Sequence, residues 1–169
     1  MYFSKIKKDT ISKDNKKLRG VSRNKLGVAV ATNLDKSIFI VTSTSKPSEV
    51  STLKAYGKYI KEGSTIIHDK EKSHNILISS LNLNSIAYSS EELKGIDDKD
   101  NPLDSVNNLH DLAKRFMRQH DSYNRDNLQD WMNLLYFILN KPNDKYEKVL
   151  RFIELSISTQ KRVKYRESM

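Results

Sequence analysis

Few side chains in this sequence could do chemistry, and their types narrow the options quickly. Cysteine is absent, which excludes a thiol nucleophile, a thiolate zinc site and a CxxC redox pair. Of the four histidines, His68 and His74 are six apart across an expected turn, and His110 and His120 are ten apart on one expected helix. Neither spacing matches a zinc motif. No GxxxxGK(S/T), GxGxxG or GxSxG occurs, so nucleotide-cradling and acyl-transfer chemistries lack support. Hard oxygen ligands remain. Asp69 closes the run Thr65-Ile66-Ile67-His68, which places a carboxylate at the C-terminal end of a strand, where α/β sheets open their clefts. Such a group can hold a divalent cation for phosphoryl transfer, or it can simply cap the next turn.

The second set lies downstream. At about 100° per residue, Val106, Leu109, Leu112, Ala113, Phe116 and Met117 form one apolar stripe. Asn107, Asp111, Lys114 and Arg118 fall within about 60° of each other on the opposite side. That polar stripe joins oxygen ligands to cations suited to phosphate, or it is the solvated face of an amphipathic helix. His110 lies at its edge.

These groups need a frame. Gly27–Thr32 and Ser37–Ser43 read as strands joined by the turn-rich link Asn33-Leu34-Asp35-Lys36, an antiparallel hairpin. Ser48 is the expected cap of a helix that includes Leu53, Tyr56, Gly57 and Ile60 and ends at Gly63. A strand over residues 65–68, a short helix over 74–81 and a weak strand over 86–88 follow, then an irregular acidic connection over 91–102. Three helices close the chain, over about 104–120, 127–139 and 145–157. The middle one is apolar nearly all round and is expected to be deeply buried. With Tyr2-Phe3-Ser4 as a short leading strand, the order is hairpin, helix, strand, helix, strand, loop and helices, which is the ribonuclease H-like sequence of elements. The fold class expected is therefore α/β, a mixed central sheet flanked by helices, with a truncated first strand and a C-terminal helical extension. One domain over residues 1–169 accounts for the length.

Thirty Lys and Arg against twenty-one Asp and Glu leave a net charge of +9, which suggests a polyanionic partner such as nucleic acid. The charge is dense over residues 5–25 and 161–166. No apolar run approaches the roughly 20 residues that span a bilayer.

Ser64–Asp69 and Asn101–His110 resemble segments of the catalytic domain of bacterial insertion-sequence transposases of the DDE superfamily, in the subgroup with Asn at the third catalytic position. Leu18–Lys25 and Tyr123–Trp131 extend the likeness over essentially the whole chain, and its weight lies in the order of all four pieces. The resemblance implies a ribonuclease H-like fold, Mg²⁺ or Mn²⁺ as cofactor, and DNA cleavage followed by strand transfer. Asp69 matches the second catalytic acid. Asn107 matches the third position, because the family places a basic residue seven positions later and Lys114 stands there; Asn108, Asp104 and Asp111 are the alternatives within a turn. The implied metal ligands are Asp69 and Asn107, and the implied DNA contacts are Lys114, Arg118, Arg19, Arg23 and Lys25.

The family's first catalytic acid lies in an Asp-Glu-x-Tyr pattern. Here Tyr2 matches the Tyr and Met1 the x, so Asp and Glu would fall just before Met1. The expectation is a transposase remnant, inactive alone, without the N-terminal domain that recognises transposon ends. Relatives act as multimers around paired DNA ends, and the implied location is the bacterial cytoplasm, at the nucleoid when bound to DNA. A non-catalytic basic DNA-binding protein and an unrelated ribonuclease H-like nuclease are the competing expectations.

Overall fold

A computed structural model of the chain describes residues 1–4, 25–33, 35–42, 46–120, 125–140 and 142–158. Most of the two basic ends, with Arg19 and Arg23, lies outside the described residues. The class is mixed α/β. Its strands are β1 (Tyr2–Ser4), β2 (Lys25–Thr32), β3 (Ser37–Val41), β4 (Thr65–Asp69) and β5 (Asn84–Tyr88), and its helices are α1 (Glu49–Tyr56), α2 (Asn75–Ser80), α3 (Asp104–Gln119), α4 (Leu128–Leu139) and α5 (Lys145–Ser158).

The strands form two ladders. β1, β2 and β3 make an antiparallel meander, with Tyr2 opposite Gly27 and Val30 opposite Phe39. The hairpin turn is closed by Asn33, whose Oδ1 accepts the amides of Asp35 at 2.9 Å and Lys36 at 2.8 Å, the local bonding that makes Asn a turn former. β4 and β5 pair in parallel, Ile67 opposite Ile86 and Asp69 opposite Tyr88. A parallel pair needs a crossover, supplied here by a 3₁₀ turn at Lys72–His74 and by α2.

The core lies between the meander and two helices. Val28, Val30 and Phe39 pack against Ala113 and Met117 of α3 and against Leu128, Met132 and Leu135 of α4. The apolar stripe read on α3 is the face that does this. At the outer edge of β3 the packing is polar and specific. Gln129 of α4 accepts the Val41 amide at 2.8 Å and donates to the Phe39 carbonyl at 3.2 Å. Asn140, just past the same helix, accepts the Ser37 amide at 2.7 Å and donates to its carbonyl at 2.9 Å. Side-chain amides thus complete backbone groups that an edge strand would otherwise leave open.

Two expectations need correcting. α1 ends at Tyr56 rather than at Gly63. Its start is as expected, a reciprocal cap in which the Ser51 amide donates to Ser48 Oγ at 3.2 Å and the Ser48 amide donates to Ser51 Oγ at 2.9 Å. Gly57 still bonds back to the Leu53 carbonyl, but glycine is a weak helix former, and turns carry the chain on to Gly63, whose φ is +73°. α4 is buried on one side only: Leu134 and Ile138 are 40% and 47% exposed, because one face of the helix meets the core and the other, among the described residues, meets only α5, through Phe137 against Phe152. α5 has no buried residue. Among the described residues no helix is long and apolar enough to cross a membrane.

Candidate functional site at the ends of β1 and β4

Asp69 ends β4, and the ladder runs one step further through the Lys70 amide, which donates to the Tyr88 carbonyl at 3.2 Å. Its side chain is 70% exposed and lines an open cleft with Lys70, Glu71, Tyr88, Ser89 and Glu91. The expected strand-end carboxylate at a cleft is therefore in place.

The leading strand and α3 both pack on β2. Met1 continues the meander beyond β1: its carbonyl accepts the Val28 amide at 2.8 Å and its amino group donates to the Val28 carbonyl at 3.1 Å. Burial lowers the pKa of that amino group, Lys114 lowers it further, and Asp69 opposes both. His110 is pushed down to about 4, first by burial, then by the Met1 ammonium and by Lys114, against the pull of Asp111 and Asp69. The Met1 amino group and His110 thus both feel the charges of Asp69 and Lys114. Tyr2 belongs to the same neighbourhood, its pKa raised by burial and then by Glu71 and Asp69.

Along α3, Asn107 stands one turn before His110 and two turns before Lys114, a spacing that puts all three on one face. Asn107 is exposed. The alternatives within a turn are engaged otherwise: Asn108 donates to Asp104 at 2.7 Å, and Asp111 pairs with Lys114 at 3.2 Å. Arg118 is exposed one turn beyond Lys114. Lys25 opens β2, half-buried.

The structure also joins residues that their spacing keeps apart. His74, carried by the 3₁₀ turn after β4, folds back so that its Nδ1 lies 3.0 Å from His68 Nδ1 and 3.6 Å from Asp69 Oδ1. The ligand atoms of His68, Asp69 and His74 lie within 4.8 Å of one another. This corrects the expectation that these histidines form no metal-type cluster. The two rings meet edge to face, with centroids 4.9 Å apart. Tyr56 packs edge-on against His74 and donates its hydroxyl to the Val30 carbonyl at 3.2 Å. Burial raises the Tyr56 phenol to about 12, with the Val30 contact opposing it, so it is a hydrogen-bond donor at neutral pH. α1 therefore ties the histidine pair to the meander. The signal in the sequence was weak: two His flanking an Asp at a strand end, with nothing to say how the turn would fold.

The chain matches no protein-family model, no curated protein and no solved structure.

The donors can be weighed against the Mg²⁺ that the transposase resemblance implies. Mg²⁺ demands near-octahedral oxygen coordination. Glu71 and Glu91 share the cleft with Asp69, yet among the described residues the one cluster of three convergent His, Asp or Glu ligands is the His68–Asp69–His74 group. One carboxylate between two imidazoles is a poor Mg²⁺ site, and the described residues alone do not fit that ion.

Proposed function

We propose that this chain is the catalytic core of a DDE-superfamily insertion-sequence transposase, with a ribonuclease H-like fold, and that alone it binds DNA without cutting it. The observations that carry this reading are Asp69 at the exposed end of β4 and Asn107, His110 and Lys114 on one face of α3. The family likeness assigns Asp69, Asn107, Lys114 and the Asp of the Asp-Glu pair expected ahead of Met1 to a single site. An antiparallel meander and a parallel β4–β5 pair are the strand types this fold combines, although the described strands form two separate sheets and not the one mixed central sheet expected.

In this reading each group has a task. The Lys114 ammonium offers a phosphate oxygen a point charge beside Asp69, and Arg118 continues the path one turn further along α3. His110, neutral at pH 7, hydrogen-bonds there without adding like charge beside Lys114. The family likeness gives the divalent ion to Asn107 and Asp69, two donors that by themselves do not make a Mg²⁺ site. Two-metal phosphoryl transfer needs carboxylates that bridge the ions, and Asp69 with a neutral amide does not supply them, so cleavage by the chain alone is not expected.

The test supplies the acidic pair that the family likeness places ahead of Tyr2. Asp-Glu is placed directly before Met1, and nicking of supercoiled plasmid is followed with Mg²⁺ or Mn²⁺. The expected result is no nicking by the chain itself, metal-dependent nicking by the extended protein, and its loss in the extended Asp69→Asn variant. Duplex binding without nicking by the extended protein favours the non-catalytic DNA-binding reading. Nicking by the unextended chain, abolished when Asp69 and Asp111 are changed together, favours the unrelated nuclease.

A further inference from the structure

We infer that His68, Asp69 and His74 form a binding site for a divalent first-row transition metal, with Zn²⁺ as the natural occupant and His68 Nδ1, His74 Nδ1 and one Asp69 carboxylate oxygen as its ligands. The assignment does not rest on the transposase reading.

The first ground is that electron-pair donors converge with too few protons to satisfy them. His68 Nδ1 meets His74 Nδ1 at 3.0 Å and also contacts the Asp69 carbonyl oxygen. His74 Nδ1 in turn lies 3.6 Å from Asp69 Oδ1. A proton on either imidazole nitrogen satisfies one of these contacts and leaves the other lone pairs facing one another. A single cation satisfies the two imidazole nitrogens and the carboxylate oxygen together. The second ground is geometric. For bonds of about 2.0–2.1 Å, separations of 3.0 Å and 3.6 Å subtend roughly 95° and 120° at a common ion, either side of the tetrahedral angle. All three ligand atoms lie within 4.8 Å of one another, and rotation of the exposed Asp69 carboxylate brings its oxygen within the ~4.2 Å of His68 that two such bonds span.

The third ground is support around the ligands. His68 Nε2 lies 2.9 Å from Ser85 Oγ on the neighbouring strand, the outer partner that fixes the ring and tautomer of a metal-bound histidine. His74 is held by the edge of Tyr56. The three ligands sit on β4 and on the 3₁₀ turn that follows it. The class of metal follows from the donors: imidazole suits Zn²⁺ and its neighbours, whereas Mg²⁺ takes oxygen. Asp69 is mostly exposed and opens on the cleft, so a fourth position is left to water or a further ligand, as in open zinc sites.

The experiment is Zn²⁺ and Mg²⁺ titration of the purified full chain by calorimetry at pH 7.5, in a buffer that does not chelate. The expected result is one Zn²⁺ per chain, held on the order of 100-fold more tightly than Mg²⁺. His68→Asn and His74→Asn should each weaken Zn²⁺ by about 10-fold or more, and Ser85→Ala by about 10-fold through the outer partner. His120→Asn, whose ring lies between Phe116 and Trp131, should leave the affinity unchanged. Circular dichroism checks that each variant is folded; His74 is only 18% exposed, and if its variant unfolds, His68→Asn and Ser85→Ala decide. Absence of saturable one-to-one binding overturns the site, as does equal loss in His68→Asn and His120→Asn. Zn²⁺ binding combined with no nicking by the Asp-Glu extended protein keeps this site and removes the transposase reading. Nicking without Zn²⁺ binding does the reverse.

Discussion

His110 carries the clearest electrostatic signature of a site built from several elements. Its imidazole is half-buried and lies near two positive groups, so its pKa falls from about 6.5 to about 4. His74 shifts in the same direction, mainly through burial. Both groups bind a proton more readily when the chain is unfolded. As pH falls below about 6.5 the unfolded state therefore takes up protons first and stability declines, until the folded-state pKa is reached near 4. Urea midpoints should thus drop between pH 7 and pH 5, and the drop should be smaller in His110→Gln; an equal drop in that variant would show that the burial of His110 is not what is felt. Single residues were unevenly legible in the sequence. Asp69 could be placed because a strand end fixes where a carboxylate goes. The His68–His74 meeting could not, because it depends on the 3₁₀ turn at Lys72–His74, a matter of local dihedral angles with no periodic signature.

Among the secondary-structure elements, the join between α4 and β3 shows how a helix can finish a sheet. Gln129 and Asn140 sit near opposite ends of α4 and bond the outward backbone groups of Val41, Phe39 and Ser37. Asn140 is 6% exposed, so removing its amide leaves the Ser37 amide and carbonyl with no replacement partner. Asn140→Ala should cost about 1–3 kcal/mol in urea unfolding, the penalty for leaving buried polar groups unsatisfied. Gln129→Ala should cost less, because its bonds lie nearer solvent. A neutral Asn140→Ala would mean that water completes the edge as well as the side chain does. Periodicity carried α3 well, since its stripe and its packed face coincide. It misjudged α4 and α1 for different reasons. An all-round apolar pattern does not tell how many faces find a partner, and a single glycine, Gly57, ends a helix whose spacing still continues.

For the whole molecule, the question is where a +9 charge would meet the DNA proposed as its partner. Much of it lies over residues 5–25 and 161–166, while Lys114, Arg115 and Arg118 place three cations on one helix, and acidic residues are gathered over 91–100. In the sequence the charge pointed to nucleic acid in general. The fold gives the proposed DNA path a candidate location, because α3 sets Lys114 and Arg118 on the same face as His110. Lys114 is paired with Asp111 at 3.2 Å, but both are well exposed, and an exposed pair of this kind is worth at most about 1 kcal/mol, so a phosphate can take Asp111's place. Each phosphate contact adds about 0.9 to the steepness with which log affinity falls against log salt. If DNA runs along α3, the Lys114→Gln, Arg118→Gln double variant should flatten that slope by nearly 2, whatever the duplex sequence. Asp69→Asn should keep the slope and bind slightly more tightly, since a negative charge leaves the path. Fluorescence anisotropy of a labelled duplex between 50 and 200 mM salt separates the cases. An unchanged slope in the double variant would move the DNA path off α3 and onto the basic ends, and with it would go the argument that Asp69 and the phosphate backbone meet.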